Sequence, residues 1–500
     1  MKNLTRPKAD FEELRNPVKG KARIKEKLKK YEETMEDYLA PWYALSKENT
    51  HVYPSQGILL TPYDYLKYES LQLLPQEKLI QTLRMRWFFL EMFNHPYRAY
   101  FLKKINMAKF VPPPKVRSAL FDHVLKTGLS LSIGDFGASV VGSQKPRVGR
   151  SERYAQGPFV KLGRQARSIF VGSASPDVWN ASPAIATMAA SHCLTTIPRN
   201  GVLSDIKRQA DLAKESFDWL KKIDEHLLKG RTDKKPLFNM WKNNIGATIE
   251  ANPEKSLNRA KALHKAGIRT FRIYSPEPGT EPVKTLKLLR KEFGTSIEIF
   301  VSHIIDVTQA KRCEEYGADG IYIGIGGGGR CITGVRSGSV IDWPSLLWLL
   351  RGEISIPVIV EGGGSDHVAT TLLLGASGIS VSRIVAGGTI ESPGGALFCS
   401  NNGTLFKPYG GEASARTKYL ESKLLPFEIP SFVEGETTTA EMSYVKHVQP
   451  TLTYNLHLLT EDAILAMVFR NASSLEELHS LDPSPLKQAT TFDSFQRNTH

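Results

Sequence analysis

The chain has 500 residues, of which 41% are hydrophobic and 23% are charged, with a formal net charge of +14 at pH 7. This composition suits a globular protein with a sizeable core, and the lack of an apolar run of about 18 residues argues against a membrane span. The start, MKNLTRPKADFEEL, carries acids and no apolar stretch, so we expect no signal or transit peptide and a cytoplasmic location.

Positive charge is concentrated near the N-terminus. The segment KGKARIKEKLKKYEETMEDYL, from Lys19 to Leu39, predicts a helix with a basic first half and an acidic second half. We interpret it as a solvated surface helix. A basic surface favours anionic partners, so nucleic-acid binding by this segment is the alternative, although it carries no known nucleic-acid motif.

The four cysteines are far apart and include no CxxC pair: Cys193, Cys313, Cys331 and Cys399. This spacing predicts neither a disulfide framework nor a zinc site, and we name no metal ligands. A reducing compartment would keep the thiols available for chemistry.

Eight short segments rich in apolar and β-branched residues alternate with helical patterns. They lie at 168–172, 192–197, 245–250, 268–274, 297–302, 320–325, 356–361 and 378–382. Strands buried on both faces have this composition, and eight of them predict a (β/α)₈ TIM barrel. An open doubly wound sheet is the alternative.

The regions outside this alternation suggest the domain organisation. We expect a mostly helical N-terminal extension at 1–165, with a loop or hairpin in 133–166, and the barrel at 166–480. An active-site excursion is expected at 400–460, a final helix near 459–478, and a flexible tail at 481–500.

The segment IGIGGGGRCITG (323–334) follows the sixth predicted strand and places one thiol in a glycine-rich loop. Loops after barrel strands open on the catalytic face, and glycines let the backbone approach a ligand closely. Loop amides and Arg330 would favour the Cys331 thiolate, and the Thr333 hydroxyl could relay protons. A flexible loop with an incidental thiol is the alternative.

The loops after the seventh and eighth strands are also rich in glycine. Glu361 is followed by Gly362–Gly364, and Arg383 precedes a second glycine pair at 387–388. Barrels often bind phosphate with these two loops, because glycine amides can point at an anion. Glu361, at a strand end, could accept hydrogen bonds from ribose hydroxyls.

Together with the cysteine loop, the runs AGGTIESPGG (386–395) and LFKPYGGEAS (405–414) resemble the IMP dehydrogenase/GMP reductase family. The resemblance covers roughly 165–478. It implies a (β/α)₈ barrel that interconverts purine nucleotides with NAD or NADP. Cys331 would attack C2 of the purine, Thr333 would assist proton transfer, and Tyr409 and Gly410 with Gly362–Gly364 would hold the phosphate.

The resemblance also implies an oligomeric state and a direction of reaction. Members usually form homotetramers, and dehydrogenases often use a monovalent cation bound by carbonyls of the cysteine loop. Most dehydrogenases carry a paired regulatory insertion after the second strand, for which 198–244 is too short. Glu434 in VEGETT and the Lys418-Tyr419 pair also match the reductase branch, whose glutamate helps expel ammonia.

Several positions depart from the family pattern. Glu361 stands where the family usually has Asp, Gly329 where it has Ser, and Arg383 near a second phosphate-contacting Ser. Arg330 and Arg383 could compensate by pairing with phosphate. On the cofactor side, the family's Asp and its Gly-Asn pair are replaced by Tyr274-Ser275 and Ser302-His303.

These departures keep two alternatives open. One is a catalytically degenerate nucleotide-binding barrel with a structural or assembly role. The other is a family barrel that acts on a different nucleotide.

Overall fold

The computed structural model describes residues 157–275, 279–324, 342–386 and 452–480. It also describes shorter segments at 72–73, 136–138, 398–399, 405–410, 437–441 and 486–488, and parts of 105–128, 146–154 and 389–392.

Eight parallel strands form one sheet that closes on itself. They are β1 Phe170–Gly172, β2 Thr195–Ile197, β3 Ile245–Glu250, β4 Thr270–Tyr274, β5 Glu298–Ile304, β6 Gly320–Ile323, β7 Val358–Val360 and β8 Gly378–Val381. The sheet order is β1-β8-β7-β6-β5-β4-β3-β2. The Gly172 amide donates to the Leu194 carbonyl at 2.8 Å, which joins β1 to the segment entering β2. The predicted (β/α)₈ barrel is therefore confirmed.

Helices connect successive strands and surround the sheet. In the described residues up to β8 they are Pro176–Trp179, Ser182–Ala190, Gly201–Ser204 (3₁₀), Ile206–Leu227, Lys234–Asn243, Pro253–Lys265, Glu281–Phe293, Val307–Glu315, Trp343–Leu350, Gly364–His367 (3₁₀) and Val368–Leu374. Ala119–Lys126 precedes the barrel, and Arg383–Ala386, Leu452–Arg470 and Leu475–Ser480 follow β8. Side-chain caps fix several helix starts: Asp205, Asn252, Asp306 and Asp342 each accept a hydrogen bond from an amide of the first turn.

The predicted final helix near 459–478 is wrong in its bounds, because the structure has two helices there. The longer one begins at Leu452, and Asn471 follows it with a φ of 50°. Asparagine tolerates this left-handed conformation, which stops a helix. Ser474 then accepts from the Glu477 amide at 3.1 Å and caps the second helix.

A β-hairpin closes the base of the barrel, at the end opposite the loops that follow the strands. Its strands, Phe159–Leu162 and Gln165–Ser168, pair antiparallel. Arg167 is fully buried and donates to both oxygens of Glu298, at 3.0 and 2.6 Å. The Arg164 amide also donates to Glu298, at 2.6 Å. The expected loop or hairpin in 133–166 is thus a hairpin reaching Ser168, and a buried ion pair joins it to β5.

Short strands outside the barrel connect distant parts of the chain. One sheet has the order 72–73, 398–399, 405–410, 437–441. Strand 398–399, just before the expected excursion, pairs with a segment of the N-terminal extension on one side and with strand 405–410 of the excursion on the other. Leu486–Gln488, in the predicted tail, pairs with Phe136–Ala138. The division at residues 165 and 480 stays a prediction.

No helix in the described part of the chain is long and apolar enough to cross a membrane.

Candidate active site

The predicted catalytic residues Cys331, Thr333 and Glu434 lie outside the described residues, as do Gly329 and Arg330. Their roles stay predictions. The structure does show where the segment that contains Cys331 begins.

β6 ends at Ile323, and Gly324 follows with a φ of +103°. A Cβ at Gly324 would lie 2.2 Å from the Glu361 carbonyl oxygen, so only glycine fits between the ends of β6 and β7.

The glycine turn after β7 has a defined shape. Gly362 and Gly363 have φ values of 84° and 87°, a region that side-chain-bearing residues rarely adopt. The Trp343 indole donates to the Gly362 carbonyl at 2.9 Å, and the Thr371 hydroxyl donates to the Gly364 carbonyl at 3.0 Å. These bonds fix the turn at the C-terminal face, where barrels bind their ligands.

The side chain of Glu361, directly after β7, accepts four hydrogen bonds. Oε1 accepts from Arg272 Nη1 at 3.1 Å and from the Ser380 hydroxyl at 3.2 Å. Oε2 accepts from Arg272 Nη2 and from His303 Nε2, the latter at 2.8 Å. The Glu361 side chain is 18% exposed and that of Arg272 is 0% exposed. Strands β4, β5, β7 and β8 are therefore joined by one carboxylate.

Arg272 crosses the barrel interior to reach this carboxylate. Its guanidinium carbon lies 4.0 Å from the centre of the Tyr322 ring, and its Nε donates to the Ser302 hydroxyl at 3.0 Å. Burial alone would raise the pKa of Glu361, but the charge of Arg272 and the bond from His303 outweigh it and hold that pKa well below its usual range. Glu361 is thus ionised and paired.

The residues predicted for the cofactor side come together at the ends of β4 and β5. Tyr274 pairs in register with Ser302, and the rings of Tyr274 and His303 meet edge to face at 4.9 Å. His303 Nδ1 lies 3.2 Å from the Ser275 carbonyl oxygen. Both nitrogens of His303 therefore lie within hydrogen-bond distance of oxygens that only accept.

Two of these four residues, Ser302 and His303, use their polar side-chain atoms within the barrel. The Ser302 hydroxyl donates to the Ile273 carbonyl at 3.0 Å and accepts from Arg272, and both nitrogens of His303 are bonded. The partly exposed members of the group are Tyr274 and Ser275.

Sequence reasoning missed Arg272, Ser380 and Tyr322. Arg272 could have been identified from the sequence, because a charged residue inside the apolar strand TFRIY needs a buried partner. The partner, Glu361, lies three strands away in the sheet order, and the sequence alone does not join them.

A second ion pair lies at the end of β3 and was also missed. Arg259 Nε donates to Glu250 Oε1 at 2.7 Å, and Glu250 pairs in register with Tyr274. The guanidinium of Arg199, after β2, lies 5.7 Å from the Tyr274 ring centre. The guanidinium carbon of Arg272 lies 5.2 Å from the same ring centre, so two arginines are within cation–π distance of Tyr274.

The remaining predicted contacts lie on elements that follow β8. Arg383 begins the helix Arg383–Ala386, and Tyr409 and Gly410 end the strand Leu405–Gly410. Their contacts with phosphate stay predictions.

The excursion is anchored close to where the chain leaves and re-enters the described barrel. The buried carboxylate of Glu391 accepts from the Leu452 amide at 3.1 Å, and the Asn455 side chain donates to the Val385 carbonyl at 2.9 Å. Burial raises the pKa of Glu391 to about 7.

Among the described residues, no group of three or more His, Cys, Asp or Glu side chains could hold a metal ion. Burial raises the pKa of Cys193 and of Cys313 to about 12, so neither thiol is reactive at neutral pH.

A barrel whose sixth loop carries a thiol and whose seventh is a glycine turn defines the class of the protein. The model of the IMP dehydrogenase / GMP reductase domain matches residues 167–480, well over half of the chain. The chain belongs to this family.

Curated relatives agree with this membership. Inosine-5'-monophosphate dehydrogenase of Cryptosporidium parvum is 30% identical over 178 residues, which is 34% of this chain and 42% of the relative. The enzyme of that name from Aquifex aeolicus (strain VF5) is 26% identical over 207 residues, 38% and 41% of the two chains. Inosine-5'-monophosphate dehydrogenase 1 of Arabidopsis thaliana is 27% identical over 250 residues, 47% of each. The matched region spans less than half the length of each of these relatives.

Proposed function

We propose that the chain is a purine nucleotide oxidoreductase that acts on a nucleoside monophosphate through a covalent bond between Cys331 and C2 of the purine. The observation that carries the proposal is the family match over the whole barrel, with Cys331 eight positions after the last residue of β6. The fixed glycine turn after β7 supports a phosphate site at the same face.

The proposed chemistry uses groups of this chain. The Cys331 thiolate adds to C2, and Thr333 assists the proton transfers. If the substrate is IMP, an oxidised nicotinamide would accept the hydride that leaves C2, and water would then release the product XMP from the thiol. If the substrate is GMP, ammonia would leave C2 with a proton from Glu434, and a reduced nicotinamide would supply the hydride that displaces the Cys331 thiol from C2 to give IMP.

Within this proposal we favour the GMP reductase direction. The segment between β2 and β3 holds the 3₁₀ turn Gly201–Ser204 and two helices, Ile206–Leu227 and Lys234–Asn243, and this supports a chain without the paired regulatory insertion. Glu434 and Lys418-Tyr419 match the reductase branch. NAD or NADP is proposed as the redox partner on family membership alone.

The experiment is an assay at the absorbance band of reduced nicotinamide. GMP with NADH or NADPH, and IMP with NAD⁺ or NADP⁺, are supplied to the full chain, with and without K⁺. We expect turnover of GMP, and loss of that turnover in Glu434→Gln. Turnover of IMP alone would show that the chain works in the dehydrogenase direction instead. Activity that requires K⁺ would show that the reaction depends on a monovalent cation.

A second candidate is a nucleotide-binding barrel without redox turnover, with a structural or assembly role. The side chains of Ser302 and His303 favour it, because their polar atoms are hydrogen-bonded within the barrel. Nucleotide binding without absorbance change for any pair would select this candidate. A homotetramer, nucleic-acid binding by the basic segment at 19–39 and a cytoplasmic location stay predictions.

A further inference from the structure

We propose that ordered water is bound inside the barrel by three hydroxyl groups and by the guanidinium of one arginine. The four side chains come from four strands: Thr196 on β2, Thr248 on β3, Arg272 on β4 and Tyr322 on β6. The inference concerns the interior of the barrel, and it holds whether or not the proposed redox reaction takes place.

Arg272 and Tyr322 both face the interior. The Arg272 side chain reaches from β4 to Glu361, directly after β7, so it extends across the inside of the sheet. The Tyr322 ring lies on the same side, because its centre is 4.0 Å from the guanidinium carbon of Arg272.

The two threonines share this inner face. Thr248 pairs in register with Arg272, and residues in register on neighbouring strands carry their side chains on the same face. Thr196 pairs in register with Gly246, which precedes Thr248 by two positions and so lies on the same face. In the closed ring of eight strands β2 lies opposite β6, so the inward side chains of Thr196 and Tyr322 approach each other across the barrel.

The three hydroxyl groups need hydrogen-bond partners. Thr196, Thr248 and Tyr322 are fully buried, and their hydroxyls bond no other atom in the part of the chain that the structure describes. Buried polar groups in folded proteins are nearly always hydrogen-bonded, either to protein atoms or to ordered water. Water is therefore the expected partner of these hydroxyls.

The guanidinium of Arg272 has the same need. All five N–H groups of a guanidinium are donors. Three of them donate to Ser302 and to the two oxygens of Glu361, and the other two have no acceptor among the described residues. The side chain is 0% exposed, so bulk water does not supply the missing acceptors.

Water suits this set of groups better than an ion does. A water molecule accepts from an arginine and donates to a hydroxyl at the same time, and a buried water typically makes about three such bonds. An anion is disfavoured because Glu361 already neutralises Arg272. The inward residues of β2 and β3, Thr196, Gly246 and Thr248, are also smaller than the Val, Ile and Leu that usually fill a barrel, which places the water beside these two strands.

Thr195 provides a matched control on the opposite face of β2. Its hydroxyl is also buried and bonds no atom of the described residues. It faces away from the interior, because it lies 2.5 Å from the position of a Cβ on Gly172, and Gly172 pairs in register with Val381. The residue before Val381, Ser380, points inward to Glu361. One hydroxyl alone does not hold a buried water, which needs at least two polar partners.

The direct test is a crystal structure of the full chain at a resolution that shows ordered water. We expect water inside the barrel within hydrogen-bond distance of at least two of the four side chains. An interior in which no water contacts Thr196, Thr248, Tyr322 or Arg272 would overturn the inference.

The test in solution compares Thr248→Val and Tyr322→Phe with Thr195→Val by urea unfolding. Removing a hydroxyl that binds water leaves the partners of that water unpaired, so each of the first two variants should raise the ratio of unfolded to folded chain by about fivefold or more. Thr195→Val removes a hydroxyl without a partner and should leave this ratio unchanged or lower it.

A ratio that stays constant or falls in Thr248→Val and Tyr322→Phe, as in the control, would show that these hydroxyls are buried dry and would contradict the inference. If either variant does not fold, the crystal structure of the wild type decides.

Discussion

At the scale of single residues, the barrel mouth is organised around the pair of Arg272 and Glu361. Each residue neutralises the charge of the other, which would otherwise be buried without a counter-charge. The sequence predicted Glu361 as a functional position from its place after a strand. It could not show that Arg272 forms an ion pair with this carboxylate, because the two residues are 89 positions apart in the chain.

This pairing predicts a stability cost when Glu361 is neutralised. Glu361→Gln leaves Arg272 buried without its counter-charge, so the free energy of unfolding should fall by about 3–5 kcal/mol in urea titrations at pH 7. Because the folded-state pKa of Glu361 is depressed, its contribution is full above its ordinary pKa of 4.5 and is lost as the pH falls below that value. The difference between variant and wild type should therefore shrink in acid.

The control is Glu353→Gln, which removes an exposed carboxylate that contacts Lys115 and Lys311. It should leave the urea midpoint close to wild type, since surface ion pairs contribute little. Equal effects of the two substitutions would contradict the assigned role of Glu361.

Glu391 predicts the opposite dependence on pH. Its pKa is raised from 4.5 to about 7 by burial, so between these values the folded chain holds a proton that the unfolded chain has lost. Stability should therefore fall as the pH rises from about 4.5 to about 7, and this one group accounts for about 3 kcal/mol over the interval.

Glu391→Gln should remove that slope. In thermal unfolding from pH 4.5 to 8, the stability of the variant relative to wild type should increase up to about pH 7 and stay constant above that pH. Parallel curves for the two proteins would mean that Glu391 is ionised when buried.

At the scale of elements, the sequence predicted all eight barrel strands because strands buried on both faces are short, apolar and β-branched. β3 has the predicted bounds, 245–250, and the others differ by a few residues at their ends. The ends were less predictable because helix and strand termini depend on tertiary contacts. Asn471, for example, stops a helix through its backbone conformation, although the apolar pattern continues beyond it.

Gly324 links the element scale to the site, and its replacement is a direct test of the geometry. Gly324→Ala would place a methyl group against the Glu361 carbonyl and force β6 and β7 apart. Gly230→Ala is the matched control, since Gly230 also has a positive φ, of 78°, with no atom near the added methyl.

Both variants carry the backbone cost of about 1–2 kcal/mol for a side chain at positive φ. We expect Gly324→Ala to lose about 1–3 kcal/mol more than Gly230→Ala in urea titrations, the usual cost of overpacking. Equal losses would show that the two strand ends are not in the contact described.

At the scale of the whole molecule, the fold and the family were predictable and the chemistry was less so. The order of the glycine loops identified the barrel and its catalytic face, and the family match covers the same residues. The sequence could not predict that the side chains of Ser302 and His303 are hydrogen-bonded within the barrel. Their partners, Arg272 and Glu361, lie on other strands, and only the folded barrel brings these residues together.

The central claim is that Cys331 carries purine nucleotide redox chemistry. The most direct measurement is the rate of change of reduced-nicotinamide absorbance with GMP or IMP, for wild type, Cys331→Ala and Cys313→Ala. Cys313 is the control because it is a buried thiol with a raised pKa. The account predicts turnover by wild type and Cys313→Ala and none by Cys331→Ala. Turnover that survives in Cys331→Ala would contradict the covalent mechanism, and no turnover by folded wild type would contradict the proposed activity.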